Sequence, residues 1–256
     1  MKILLLIFVL LLGCDKTNNM FYYYNGESPS LPIVRKISNS TVDIYDYKNA
    51  GTGTILKKTK EHAYILTCAH VIANRKRKHT PIFDFKALGQ YNITPKTTFL
   101  ESIIKPLLVK QTKWVDGLPI TYSHSADIFF LDRSVDICIL RINGKIYGEE
   151  ISPYNNSTVV PTGTEVYHVG NLFGSLNYSV TSGIISHNSR GLFGERIQVD
   201  IDVTFGSSGG GIFTKDKGEY VGMVTEKATR DSSIAIIIPI KKIIKWLEVY
   251  SVERNF

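Results

Sequence analysis

A chain of 256 residues that is 43% hydrophobic and 21% charged carries enough apolar material for one large domain or two small ones, which excludes disorder over most of its length. The formal charge of +7 would suit an anionic partner. The densest basic run, Arg75-Lys76-Arg77-Lys78-His79, has no aromatic-interleaved stripe, helix-turn-helix pattern or zinc-finger spacing around it, so it reads as a solvated loop and nucleic acid is not an expected partner. Three cysteines exclude a disulfide-dense scaffold, and no HExxH, CxxC or P-loop pattern asks for a metal or nucleotide, so no cofactor is expected.

In chain order, Lys2 precedes an apolar run over residues 3–12 and then Gly13-Cys14, the layout of a secretory signal. The run is about half of the roughly 20 residues that a membrane-spanning helix needs. Leu11-Leu12-Gly13-Cys14 resembles the lipobox of bacterial lipoproteins. That resemblance implies a signal peptide over residues 1–13, cleavage before Cys14, and a diacylglyceryl group on its thiol that holds the protein at a membrane of the cell envelope. Asp15 resembles the inner-membrane retention signal of enterobacterial lipoproteins. Residues 14–30 lack a period and read as a tether.

From residue 31 the chain reads as strands and turns. Strands are expected over residues 33–37, 41–45, 51–56 and 63–67, then a long polar stretch of loops around residues 75–98. Two more strands, 127–131 and 136–140, are joined by Asp132-Arg133-Ser134. After a loop-rich break over residues 143–162, a second set is expected at 164–170, 178–186, 196–203, 211–214, 220–225 and 233–238. Only the tail has helical spacing, with Ile240, Ile243, Ile244 and Leu247 on one face. Twenty glycines, nine prolines and many short strands at 8–12-residue spacing argue for an all-β protein, built as barrels or a sandwich.

Chemistry concentrates at three places. In Phe205-Gly206-Ser207-Ser208-Gly209-Gly210-Gly211 the glycines permit a tight turn with positive φ, which can push the Ser208 hydroxyl outward and aim successive N–H groups into one space. A serine hydroxyl needs a base to act as a nucleophile. Among the six histidines, His70 follows the apolar run Ile65-Leu66-Thr67-Cys68-Ala69 and precedes Val71-Ile72, so packing can fix it. His62 and His79 are flanked by charges and are expected at the surface; His168 and His187 read as ordinary strand or loop residues. The base needs an acceptor to hold its tautomer, and Asp136 stands at the entrance to the apolar run Ile137-Cys138-Ile139-Leu140. Taken singly, these could be a Gly/Ser loop, a core histidine and a strand-capping aspartate; together and in order they make a triad.

The blocks Leu66-Thr67-Cys68-Ala69-His70-Val71, Asp136-Ile137-Cys138-Ile139-Leu140 and Gly206-Ser207-Ser208-Gly209-Gly210 resemble the three motifs of trypsin-like serine proteases. Val169-Gly170-Asn171-Leu172-Phe173-Gly174, Val180-Thr181-Ser182-Gly183-Ile184-Ile185-Ser186, Ile197-Gln198-Val199-Asp200 and Ala235-Ile236-Ile237-Ile238-Pro239-Ile240 are similar to the bacterial Deg/HtrA-type branch. The resemblance implies two six-stranded antiparallel β-barrels, over residues 31–150 and 151–256, with a C-terminal helix. It implies a serine endopeptidase that hydrolyses protein or peptide substrates through an acyl-enzyme, with His70, Asp136 and Ser208 as the triad and the N–H groups of Gly206 and Ser208 as the oxyanion hole. Ser207 stands where digestive trypsins carry the aspartate that pairs with a new N-terminus, so that switch is not expected. No PDZ module is expected after the helix.

Specificity is open at this point. Asp202 lies six residues before Ser208, where trypsins specific for Lys or Arg carry a pocket aspartate, yet the alternation of Asp200 and Asp202 with Ile201 and Val203 also suits outward strand residues. Thr225, Glu226 and Lys227 fall where the family lines its first pocket, and Lys227 could narrow it or pair with Asp202. Cys68 and Cys138 flank the triad members and could pair or stay as buried thiols. A catalytically silent fold used for binding at the envelope is the alternative function. An esterase ranks below both, because the Ser–Asp–His order of α/β-hydrolases is missing.

Overall fold

The computed structural model describes residues 31–46, 49–72, 107–115, 118–155, 159–190, 195–229 and 232–251. The proposed signal and lipidation site at Cys14, the tether, the basic run and His79 lie outside the described residues.

The first element is a correction. Residues 33–37, expected as a strand, belong to helix α1 (Pro32–Asn39). Pro32 occupies its first turn, where the missing N–H costs nothing. Ile33 and Ile37, one turn apart, both pack against Gly218, and the Thr41 hydroxyl closes the C-terminal end on the Ile37 carbonyl at 2.9 Å. A five-residue apolar stretch fits either period, and packing against the far barrel selects the helix.

Strands β1 (Thr41–Asp46), β2 (Asn49–Lys58), β3 (His62–Thr67), β4 (Leu107–Val115), β5 (Leu118–Asp132) and β6 (Ile137–Asn143) close into one antiparallel barrel in the order β1-β2-β3-β6-β5-β4. Strands β7 (Glu165–Leu172), β8 (Leu176–Arg190), β9 (Arg196–Asp200), β10 (Gly211–Thr214), β11 (Tyr220–Lys227) and β12 (Ile234–Pro239) close a second, in the order β10-β11-β12-β9-β8-β7. Closure leaves no unpaired strand edge in either sheet. Val42, Ile44, Ile65, Leu66, Ile139 and Leu140 on the first barrel's strands are buried in one apolar cluster; Val166, Ile185, Val199, Ile212, Val221 and Ile237 on the second barrel's strands are buried in another. At about 1.5–3 kcal/mol for each buried aliphatic side chain, these interiors dominate stability. The expectation of an all-β chain with two six-stranded barrels is met.

Helix α2 (Ile240–Ser251) follows the second barrel, lies against its strands β11 and β12, and reaches the first barrel through Trp246. Ile240 and Ile243 are buried and Ile244 and Leu247 partly so, as the spacing predicts, and Trp246 joins them. The Trp246 Nε1–H donates to Asp132 Oδ2 at 3.0 Å, and its ring meets Phe130 edge-on at 5.2 Å between centroids. The helix therefore straps the second half of the chain to the end of the first barrel that carries Asp136.

Candidate active site

Strand pairing brings His70 and Asp136 together. Thr67 on β3 faces Cys138 on β6, so the residues just beyond β3 and just before β6 emerge at the same barrel end. His70 sits in a 3-10 turn (Ala69–Ile72) held down by buried Val71 and Ile72. Its Nδ1 lies 2.8 Å from Asp136 Oδ2, and its backbone N–H donates to Asp136 Oδ1 at 2.9 Å. Ala69 N–H donates to the Asp136 carbonyl at 3.3 Å. Ring and backbone are thus held by one carboxylate, and the imidazole is the more exposed partner (47% against 25%).

Asp136 has φ 63°, a left-handed conformation that costs a non-glycine residue about 1–3 kcal/mol. The preceding turn supports it. Asp132 Oδ1 accepts from the Ser134 N–H at 2.9 Å and hydroxyl at 2.6 Å and from the Val135 N–H at 3.4 Å, while Oδ2 takes the Trp246 indole. Burial alone would raise the Asp132 pKa, but the hydrogen bonds from Ser134, Trp246 and Val135 outweigh it and hold the carboxyl below its ordinary range.

The turn around Ser208 is bound from three sides. Gly206 and Gly209 have φ of 94° and 87°, and a Cβ on either would overlap backbone: the Asn171 carbonyl in the first case, the Thr52 carbonyl in the second. Ser207 is buried. Its N–H donates to the Thr204 carbonyl at 3.0 Å and its hydroxyl accepts from the Thr204 N–H at 3.1 Å, so it braces the turn from within. Gly209 N–H donates to the Val224 carbonyl at 2.8 Å, and Val224 N–H to the Gly210 carbonyl at 2.9 Å, which docks the turn on β11. From the first barrel, Thr52 N–H donates to the Ser208 carbonyl at 2.9 Å.

The Ser208 hydroxyl donates to the Thr225 carbonyl at 3.4 Å, a long contact, and not to the imidazole. The expected hydroxyl–imidazole bond is thus not made in this arrangement. The β11–β12 register explains the alternative acceptor: it slips between Val224 and Glu226, leaving Thr225 as the bulged residue with its carbonyl free of the ladder. Among the described residues, the N–H groups of Gly206 and Ser208 make no hydrogen bond with protein, which leaves both available as donors beside the hydroxyl.

Comparison with known proteins agrees with this fold. A family model described as the trypsin-like peptidase domain matches residues 51–223. The chain belongs to the trypsin-like peptidase family. This chain is 32% identical over 149 residues to the mitochondrial serine protease HTRA2 of Drosophila persimilis, covering 55% of this chain and 33% of that one. It is 26% identical over 221 residues to a serine protease HtrA-like of Staphylococcus aureus strain MRSA252, covering 83% of this chain and 25% of the other. It thus spans a quarter to a third of the length of these relatives. Its fold matches the crystal structure of the serine endoprotease from Yersinia pestis (TM-score 0.60, 24% identity, 85% of this chain and 64% of that). It also matches Rv3671c from M. tuberculosis H37Rv in an inactive mutant form (TM-score 0.60, 18% identity, 90% and 97%).

Of the four residues considered for a specificity pocket, Thr225 adjoins Ser208, its carbonyl 3.4 Å from the hydroxyl. Asp202 is exposed, and its carbonyl accepts from the Thr181 hydroxyl at 2.9 Å. Asp200 is also exposed and accepts from the Ser233 hydroxyl at 3.0 Å, in keeping with outward strand residues. Thr225 is buried with its hydroxyl on the Ile236 carbonyl; Glu226 is exposed and Lys227 half-buried. Among the described residues no ion pair joins Lys227 to Asp202.

Cys68 and Cys138 are free, buried thiols. Cys68 S–H donates to the Val224 carbonyl at 3.2 Å, and burial with the charge of Asp136 nearby pushes its pKa well up. Cys68, His70 and Asp136 are the one group of metal-ligating side chains among the described residues, with ligand atoms within 4.8 Å of one another. The thiol is spent on a carbonyl and the imidazole on the carboxylate, so the grouping reads as the floor of the His–Asp pair.

His168 is buried, as an ordinary strand histidine can be, and His62 is half-buried against Tyr64 rather than at the surface. Burial lowers the His168 pKa to about 4 despite the Gly211 carbonyl 3.1 Å from Nδ1. Sequence reading missed Asp132, Thr52 and Asp43. The short Asp-x-Ser turn before Asp136 was a signal for the first, and the Gly51-Thr52-Gly53 step inside an apolar strand for the second. Gly51 lies against Val71 and the Ser208 carbonyl, and Gly53 against Ile65 and Ile44, so neither can carry a side chain.

Proposed function

We propose that this chain is a serine endopeptidase in which Ser208 attacks a peptide carbonyl and His70 relays the proton. The observation that carries the reading is the His70–Asp136 pair: a carboxylate holds Nδ1 at 2.8 Å and the backbone N–H at 2.9 Å, which fixes the tautomer with Nε2 as the free base. For attack, the Ser208 hydroxyl leaves the Thr225 carbonyl and gives its proton to Nε2 as Oγ bonds to the carbonyl carbon. The Gly206 and Ser208 N–H groups take the oxyanion, worth about 3 kcal/mol per donor. The C–N bond breaks as Nε2 returns the proton to the leaving amine. Water then attacks the acyl ester by the same route and frees the acid. Asp136 stays ionised and steadies the imidazolium.

The substrate class proposed is protein or peptide, which membership of the trypsin-like peptidase family supports. Incubating the full chain in detergent with denatured casein should give fragments with new N-termini. Ser208→Ala and His70→Ala should each abolish them, and Asp136→Asn should cut kcat about 10⁴-fold. Fragmentation that survives Ser208→Ala would exclude the mechanism.

The mitochondrial location in one relative's name is that protein's own, and among the described residues no helix is long and apolar enough to cross a membrane. The Leu11-Leu12-Gly13-Cys14 motif supports anchoring through lipid on Cys14 at the cell envelope. In a bacterial host fed labelled palmitate, the wild-type chain should take up label and pellet with membranes, and Cys14→Ser should do neither. A Cys14→Ser chain that keeps both would remove the anchor from the account.

A further inference from the structure

Thr52 lies on β2 of the first barrel, fully buried, yet its side chain serves only the second. Its hydroxyl donates to the Gly206 carbonyl at 2.8 Å and accepts from the Asn171 N–H at 2.9 Å. Its own carbonyl is capped by the Thr67 hydroxyl at 2.8 Å, so the residue is held from behind by β3. Its N–H already holds the Ser208 carbonyl. One residue of the first barrel thus touches the nucleophile turn on both sides of Ser207.

Resting on the endopeptidase reading, we propose that the Thr52 hydroxyl is a positioning residue for the oxyanion hole, a latch from one barrel that sets the direction of the Gly206 amide in the other. Gly206 is wedged beneath the Asn171–Gly174 turn: a Cβ would overlap the Asn171 carbonyl and crowd the Gly174 nitrogen. With φ at 94°, the direction of its N–H follows the peptide plane on its carbonyl side, whose other edge, the Ser207 N–H, is held by the Thr204 carbonyl. The Thr52 hydroxyl pins the carbonyl edge of that plane and ties the Asn171 N–H to the same atom, so turn and nucleophile loop move as one. Without it, a carbonyl and an N–H are left unpaired in a dry seam, and each gains by rotating towards another partner. Phe205, just before Gly206, is largely exposed, with only its ring edge near Gly174.

The test compares wild type, Thr52→Val and Thr52→Ser in the full chain. Valine keeps the shape and removes both hydrogen bonds; serine keeps the hydroxyl. Thr52→Val should lower kcat about 10- to 100-fold with KM within about threefold, less than deleting a donor outright because the latch acts through Gly206. A peptide aldehyde, whose hemiacetal places an oxyanion in the hole, should lose affinity by a similar factor. Thr52→Ser should recover all but about threefold of both. Hydrogen exchange over peptides covering residues 204–210 reads the latch without turnover and should speed up in Thr52→Val alone. Unchanged exchange in Thr52→Val overturns the latch whether or not the chain cleaves anything. Faster exchange with unchanged kcat and aldehyde affinity overturns its catalytic role. Absence of Ser208-dependent cleavage in wild type, with the exchange result as expected, fails the endopeptidase reading and the positioning claim while leaving the hydrogen-bonded latch standing.

Discussion

Asp43 and His168 titrate against each other. Asp43 is fully buried on the strand beside Thr52, neither of its oxygens has a partner, and burial lifts its pKa from 3.8 to about 8 against the attraction of Lys110. Asp43 therefore holds a proton in the folded chain that the unfolded chain has lost: its stability contribution is full below pH 3.8 and disappears by about pH 8. His168 runs the other way. Its pKa falls from 6.5 to about 4, so its contribution is present above 6.5 and lost as pH falls towards 4. Each slope is about 1.4 kcal/mol per pH unit, so the two cancel between pH 4 and 6.5, and the Asp43 loss stands alone between 6.5 and 8. Urea denaturation of wild type should then show little pH dependence from this pair up to 6.5 and a decline above it. Asp43→Asn should abolish the decline and show a rise between pH 4 and 6.5. Parallel profiles for the two proteins would mean that Asp43 ionises normally.

At the level of elements, the β5–β6 turn controls the acid. Asp132 binds the turn internally and binds helix α2 through Trp246, and Asp136 keeps its strained φ only while that turn is rigid. Asp132→Ala removes four acceptor contacts four residues before the imidazole's partner. It should lower stability by about 2–3 kcal/mol and reduce kcat about tenfold with KM unchanged. Thermal melting and steady-state kinetics check the two parts; a variant that loses stability alone would confine Asp132 to a structural role. The same elements show what sequence can carry. The run into His70, the run out of Asp136 and the glycines about Ser208 were legible, because buried strands and positive-φ turns restrict residue type. Strand β4 and the first half of β5 were not: Lys110, Thr112 and Lys113 lie on the outside of a closed barrel, where a strand reads as polar loop. Helix α1 was misread because its apolar pair packs on residues from the other barrel. Thr52 was invisible because its role depends on the register of two sheets meeting, and so was the Ser208 hydroxyl's choice of the Thr225 carbonyl, which needs the bulge in β11.

Across the whole molecule, two closed barrels meet at a seam, with His70 and Asp136 from the first, Ser208 from the second, Thr52 crossing between them and α2 strapping them together. Such a seam places a base and a nucleophile from distant parts of the chain on rigid supports, where their separation is set by packing. The account stands or falls on whether Ser208 is activated by His70. The full chain treated with a fluorophosphonate and digested for mass spectrometry measures this directly. One phosphonyl adduct on the peptide bearing Ser208, absent from His70→Ala, is the expected result. No adduct, an adduct on another residue, or equal labelling of His70→Ala would contradict it.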